Sequence, residues 1–125
     1  MLSNEAQIKK KGGIRMRIIN LTPHTVNIVD AEGNALRNFV SEGIARAAQT
    51  SVVVGELEGI ELVKTTFGAP VDLPDPKDDT YYIVSLATAT AARDHGRTVA
   101  DLLLTSDPVR DSEGRIVGCK RLAKV

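Results

Sequence analysis

The sequence predicts an α+β fold: a mostly antiparallel β-sheet with one main helix, and a later segment that suits either a second short helix or a strand. Short β-rich segments alternate with turns that contain Gly, Asp, Asn or Pro. One alanine-rich segment, Leu86–Asp94, follows a serine that suits a helix N-cap. The 125 residues are enough for one domain with a single hydrophobic core.

Composition and charge exclude several classes of protein. Hydrophobic residues make up 42% of the chain and charged residues 26%, which excludes a disordered or collagen-like protein. No apolar run approaches the roughly 18 residues of a membrane-spanning helix. Residues 1–15 hold four of the 16 basic and one of the 16 acidic residues, so residues 16–125 carry a net charge of −3. This acidic body, with 3% aromatic residues, predicts no binding to polymeric nucleic acid.

Residues 1–15 are polar, lack apolar periodicity and are predicted to form a disordered arm. Codons for Lys11-Gly12-Gly13 can contain a bacterial ribosome-binding sequence, and two codons separate them from Met16. Two interpretations stay open: Met16 is the native start of a bacterial or phage gene, or the arm is an ordinary basic tail. Residues 16–125 are predicted to form the single folded domain.

The first half of this domain is predicted to consist of strands joined by tight turns. Pro23, which lacks an N–H group, interrupts the first two strands, and Glu58-Gly59 connects the last two as a hairpin. Residues 44–50 suit either a helix or a strand. The predicted strands are Arg17–Asn20 and residues 25–29, 35–40, 51–57 and 60–67.

The second half begins with a loop at residues 68–79 that holds three prolines and four aspartates, which predicts a stiff surface crossing. A buried strand follows at residues 81–84, then the helix Leu86–Asp94, which ends near Gly96. Residues 98–101 resemble a capping box, so residues 101–104 are predicted as a short helix, a strand or an irregular segment. A hairpin is predicted to connect strands at 108–110 and 115–122.

Candidate catalytic and metal-binding residues are few. Cys119 lies in a predicted strand, where a buried and inert thiol is usual. His24 follows a proline in a turn, and His95 lies at a helix C-terminus, where its charge suits the helix dipole. The histidine spacing fits no HxH or HExxH metal site. We therefore expect no catalytic residue, metal or cofactor; a small phosphodiesterase using His24 or His95 as general acid or base is the alternative.

Ligand-binding candidates cluster around the predicted helix. Its N-terminal N–H groups favour an anion, and its alanine and threonine surface suits either a flat ligand or close packing on a sheet. Arginines beside small polar residues can clamp a phosphate, although ordinary surface ion pairs are the alternative. Aromatic residues can stack on a base or fill the core. The candidates are Phe67, Tyr82, Ser85, Thr88, Arg93, Arg97, Thr105, Ser106 and Arg110.

Five short segments together resemble a known family. They are residues 19–24 (INLTPH), 54–60 (VGELEGI), 82–85 (YIVS), 107–111 (DPVRD) and 114–119 (GRIVGC). The pattern resembles small phage and prophage proteins that open with an NLTPH box and close with a DPVRD…GxIxG box, the first-described Thoeris anti-defence family. The resemblance covers nearly everything from Met16 onward. Phe67-Gly68 also fits the pattern, whereas Lys64 stands where the family has arginine.

The resemblance implies a non-catalytic sponge that binds and hides a cyclic ADP-ribose isomer made by infected Thoeris bacteria. It also implies cyclic di- or trinucleotides as further ligands, a homo-oligomer (a dimer or a larger assembly such as a hexamer) with ligand pockets between subunits, and residence in the bacterial host's cytoplasm. The alternative from a different class is a structural or interaction protein of a phage particle.

The resemblance also assigns each candidate residue a role. These roles are hydrogen-bond donors near the helix start for Ser85 and Thr88, pyrophosphate neutralisation for Arg93, Arg97 and Arg110, adenine stacking for Phe67 or Tyr82, and hydrogen bonds to sugar or phosphate for Thr105 and Ser106.

Overall fold

Residues 16–125 are described by a computed structural model, and the arm predicted for residues 1–15 lies outside the described residues. The described part contains eight strands and one helix. In chain order they are β1 Arg17–Asn20, β2 Val26–Val29, β3 Ala35–Phe39, β4 Gln49–Leu57, β5 Ile60–Phe67, β6 Thr80–Ile83, α1 Leu86–Asp94, β7 Leu102–Arg110 and β8 Ile116–Lys124.

Six strands form one sheet in the order β1-β6-β7-β8-β2-β3, and β4 with β5 forms a separate two-stranded ribbon. The pairs β7–β8, β2–β3 and β4–β5 are antiparallel. The pairs β1–β6, β6–β7 and β8–β2 are parallel, and their ladders are shorter than those of β7–β8 and β4–β5. The predicted α+β class is confirmed, and its sheet is mixed, with the longest ladders antiparallel.

The predicted helix Leu86–Asp94 is confirmed, and the N–H of Thr88 donates to the Ser85 hydroxyl at 3.2 Å as an N-cap bond. Of the alternatives left open for residues 101–104, the structure shows the strand and not the short helix. Leu102 and Leu103 pair with Tyr82 and Ile83 in a parallel ladder, because Leu102 is fully buried in the core beneath α1. No helix in residues 16–125 is long and apolar enough to cross a membrane.

The two faces of the sheet bury different apolar clusters because neighbouring residues of a strand point to opposite faces. Tyr82 and Leu102 lie in the cluster under α1, together with Ala89 and Ala92 of the helix. These alanines are fully buried, so the small side chains of α1 serve close packing on the sheet. The opposite face buries Val26, Phe39, Ile83 and Cys119.

The two outer strands of the sheet approach each other through Asn20, the last residue of β1. Asn20 forms an isolated parallel bridge with Ser41, just beyond β3. Its fully buried side chain donates to the carbonyl oxygens of His24 at 2.7 Å and Phe39 at 2.9 Å. Its Oδ1 accepts from the N–H and hydroxyl of Thr22 at 2.9 and 2.7 Å. Asn20 thereby connects the end of β1 to the end of β3 and to the turn that holds Thr22 and His24.

Gly118 permits the close approach of β8 to β2. A Cβ atom at this position would lie 2.6 Å from the carbonyl oxygen of Asn27 and 2.8 Å from a methyl group of Val29. The second glycine of the GxIxG box is therefore required by packing between two strands that pair in parallel at Ile28 and Cys119.

Candidate functional site

A groove of about 520 Å³ opens between the start of β2 and the paired strands β7 and β8. Hydroxyl, amide and imidazole groups share its wall with aliphatic side chains, and no Asp, Glu, Lys or Arg of residues 16–125 lines it. This mixture suits a compact ligand with one apolar surface and several hydrogen-bonding groups. The lining residues are His24, Thr25, Val26, Asn27, Thr105, Ser106, Pro108, Ile116, Val117, Gly118 and Cys119.

A second pocket of about 360 Å³ adjoins the groove at the start of α1. Val26 and Thr105 line both spaces. The second pocket is also lined by Ser85, which is the N-cap of the helix, and by the exposed Leu86. The two spaces together make a continuous surface from the helix N-terminus to the β7–β8 hairpin.

The fold brings together four of the five motif segments at these pockets. His24 of the first box lines the groove together with Pro108 of the fourth box and with Ile116 and Val117 of the fifth. Ser85 of the third box lines the adjoining pocket. The parallel pairing of β2 with β8 produces this arrangement. Residues 54–60 instead form the tip of the β4–β5 ribbon.

Four of the predicted ligand-binding residues lie at or beside these spaces. Ser85, Thr105 and Ser106 contribute to the lining. Arg110 pairs in register with Ile116, a groove residue, and so stands at the groove's end. Its Nη1 donates to the carbonyl oxygen of Gly114 at 2.7 Å, which leaves its other guanidinium N–H groups available because the side chain has no carboxylate partner within residues 16–125.

Two predicted residues are buried instead of facing a ligand. Tyr82 is 3% exposed in the core under α1, so its ring packs against the helix and is not available to stack on adenine. Thr88 is fully buried, and its hydroxyl donates to the carbonyl oxygen of Ala45 at 3.1 Å while accepting from Ser85 at 2.9 Å. Thr88 therefore joins the helix to the segment between β3 and β4, and its hydroxyl does not face a ligand.

Arg97 holds the proline-rich loop rather than a phosphate. Its guanidinium donates to both carboxylate oxygens of Asp101 at 2.9 Å, and the two side chains are 14% and 13% exposed. It also donates to the carbonyl oxygens of Pro74 and Thr98 at 2.7 Å. These bonds occupy the groups with which an arginine clamps phosphate, so the prediction for Arg97 is corrected to a structural role.

Arg93 and Phe67 are not brought to the groove. Arg93 is exposed at the far end of α1, roughly 12 Å along the helix from Ser85 at 1.5 Å per residue. Phe67 ends β5 at the base of the ribbon, where its carbonyl oxygen accepts from His95 Nε2 at 2.9 Å. His95 is thereby engaged in fastening the ribbon to the helix.

The groove residues that sequence reasoning missed as binding candidates include Asn27, Ile116 and Val117. Each looks like an ordinary strand residue, and nothing local shows that β2 lies beside β8. The sequence signal that could have found this groove is the set of boxes at residues 19–24, 107–111 and 114–119. Residues of all three boxes line one pocket although the first box is far from the others in sequence.

The electrostatics near the groove come from the β7–β8 hairpin. The backbone N–H of Arg115 donates to Asp111 at 3.0 Å, and its guanidinium also donates to this carboxylate. Chiefly through the backbone bond, Arg115 lowers the pKa of Asp111 below its ordinary value. Within residues 16–125 no group of three or more His, Cys, Asp or Glu is close enough to hold a metal ion.

No protein-family model, curated protein sequence or solved structure matches the chain.

Proposed function

We propose that this protein binds a compact cyclic nucleotide signal, a cyclic ADP-ribose isomer or a cyclic di- or trinucleotide, and holds it without degrading it. The observation that carries the proposal is the convergence of the motif boxes. Residues of the first, fourth and fifth segments, which the resemblance singled out, line one groove of about 520 Å³, a volume within the range of small-molecule sites.

The chemistry of the groove supports a nucleotide-type ligand. Pro108, Ile116 and Val117 offer an apolar surface for a base, and the hydroxyls of Thr105 and Ser106 offer partners for ribose. Arg110 at the groove's end supplies a cation for phosphate. Sequestration also requires tight binding, roughly −12 kcal/mol for nanomolar affinity, which favours a site that a second subunit helps to enclose. We accordingly propose a homo-oligomer acting in the cytoplasm of a bacterial host.

A phosphodiesterase is the second candidate, because His24 lines the groove and can act as a general acid or base there. His95 is less suited to this role, since its Nε2 already contacts the Phe67 carbonyl oxygen. A phage-particle protein, the third candidate, would require no small-molecule ligand.

Calorimetry and product analysis test the proposal together. The protein is titrated with cyclic ADP-ribose isomers and with cyclic di- and trinucleotides, and the ligand is analysed after heat denaturation. We expect one class to bind and to return intact. Cleaved ligand indicates the phosphodiesterase, and no binding of any compound contradicts both nucleotide functions.

Two arginine variants locate the phosphate contact. Arg110→Ala should weaken binding by at least about 1.5 kcal/mol, which is roughly tenfold, because it removes a hydrogen bond to a charged group. Arg93→Ala is the matched control, since it removes the same charge from an exposed position at the far end of α1. Equal affinities for the two variants would remove Arg110 from the site.

A further inference from the structure

The middle of β7 contains a backbone conformation that is unusual for a strand. Asp107 has a positive φ of 56°, which places it in the left-handed region that residues other than glycine seldom adopt. Of the four non-glycine residues with positive φ in residues 16–125, Asp107 alone lies inside a strand. It stands between Thr105 and Pro108, which both line the groove. The strained backbone therefore falls at the proposed site, where such strain is commonly part of function.

The normal alternation of side chains is interrupted at this point of the β7–β8 ladder. Thr105 pairs with Leu122, and Pro108 pairs with Cys119; the two residues of each antiparallel pair share a face of the sheet. Leu122 and Cys119 are three residues apart in β8, so regular alternation would place them on opposite faces. Both nevertheless lie in the same apolar cluster, on the face opposite α1. The pattern of faces is therefore shifted by one residue between Thr105 and Pro108.

The left-handed conformation of Asp107 accounts for this shift. A left-handed residue occurs in one class of β-bulge, where the strand bends and the side chains beyond it are re-aimed. Pro108 marks the same point, because a proline inside a sheet is tolerated at bulges and edges. Regular alternation would carry Pro108 to the face opposite Thr105. The shift instead brings Pro108 and Cys119 to the side of Thr105, and all three residues line the groove.

The charge of Asp107 is less important here than its backbone. Arg121 Nε donates to the Asp107 carboxylate, but the two side chains are 74% and 36% exposed, and an exposed ion pair adds little to stability. Aspartate and asparagine tolerate the left-handed region better than other side chains do. An aspartate at position 107 is thus suited to a left-handed residue inside a strand, whatever its carboxylate contacts.

We propose that Asp107 is a positioning residue of the groove: its left-handed backbone shifts the faces of β7 and β8 and so places Pro108 and Cys119 in the groove wall. The inference rests on the proposed function for its ligand. The backbone conformation also has a consequence that is measured without one, because glycine is preferred to alanine at a left-handed position, whereas glycine destabilises an ordinary strand relative to alanine.

Thermal denaturation of the full chain tests the conformation without a ligand. Asp107→Gly should melt at a higher temperature than Asp107→Ala, because a left-handed alanine lowers the folding equilibrium constant about tenfold and glycine carries no such steric cost. Lys64 is the matched control, since it lies exposed in β5 with a negative φ. Lys64→Gly should melt below Lys64→Ala. Equal melting temperatures for the two Asp107 variants, or a lower one for glycine, would overturn the proposal.

Calorimetry then tests the positioning role, at a temperature where circular dichroism shows each variant folded. The probe is whichever cyclic ADP-ribose isomer or cyclic di- or trinucleotide binds the wild-type chain most tightly. Asp107→Gly and Asp107→Asn should bind within about threefold of wild type, whereas Asp107→Ala and Asp107→Val should bind at least about tenfold more weakly.

Each other outcome has a distinct meaning. Asp107→Asn binding as weakly as Asp107→Ala would show that the carboxylate itself is required, and equal affinities for all four variants would show that the shift does not shape the groove; either result would overturn the proposal. If the wild-type chain binds none of the compounds, the proposed function fails together with the positioning role. A glycine variant that melts above the alanine variant would in that case still confirm the shifted strand.

Discussion

The side-chain amide of Asn20 provides the sharpest test of how the outer strands of the sheet are joined. It makes four hydrogen bonds from a fully buried position, donating to two carbonyl oxygens and accepting twice from Thr22. Asn20→Ala removes all four. We therefore expect the sheet to lose much of the connection between the end of β1 and the end of β3.

The size of the stability loss on Asn20→Ala depends on how deeply the hydrogen-bond partners of Asn20 are buried. Each bond contributes about 0.5–1.5 kcal/mol net. The carbonyl of Phe39 is buried with its residue, whereas the groups of Thr22 and His24 are partly exposed and regain water. We expect a loss of about 2–4 kcal/mol in the free energy of unfolding, a large share of the roughly 5–15 kcal/mol of a typical domain.

Urea denaturation followed by far-UV circular dichroism measures this loss, because the chain contains no tryptophan. Asn20→Asp should cost more than Asn20→Ala, since a carboxylate cannot donate to the two carbonyl oxygens and its buried charge faces them. Asn38→Ala on the exposed side of β3 is the control and should change stability by less than about 0.5 kcal/mol. A loss below about 1 kcal/mol for Asn20→Ala would refute the reasoning.

Three further predictions address other parts of the fold. Arg97→Ala leaves the Asp101 carboxylate largely buried without its partner and should destabilise the domain by roughly 3–5 kcal/mol in urea denaturation; a loss under about 1 kcal/mol would contradict the structural role. Gly118→Ala should cost about 1–3 kcal/mol through the clash with β2, whereas Gly55→Ala, which meets nothing within 4 Å, serves as control in the same thermal melts. Because the folded chain lowers the pKa of Asp111, this carboxylate contributes stability above the ordinary pKa of 3.8, and the contribution is lost as the pH falls through the lower folded value. Carboxyl-carbon NMR titration of the folded protein should give a pKa below 3.8 for Asp111. A pKa above 3.8 would contradict the hydrogen bonds of this turn.

The local elements were predictable because each depends on residues close together in sequence. Ser85 caps the helix with its own hydroxyl, and the turn at Glu58-Gly59 has positive φ angles of 48° and 79° at the two residues that join the ribbon's strands. Such features report their conformation through side chains a few residues apart. The local pattern left residues 101–104 undecided between helix and strand, and burial of Leu102 in the sheet decided for the strand over the capping-box pattern.

The candidate site was less predictable because a role depends on which distant group a side chain meets. Arg97 and Arg110 look alike in sequence, yet Arg97 pairs with a largely buried carboxylate while Arg110 donates to a turn carbonyl oxygen. The groove itself exists because β2 runs beside β8, a parallel pairing of segments about 90 residues apart. The sequence by itself therefore determined the turns and the helix ends, because each depends on residues that are close together in the chain. The site and the exposed ribbon were decided by the tertiary structure, because they depend on pairing between strands that are far apart in sequence.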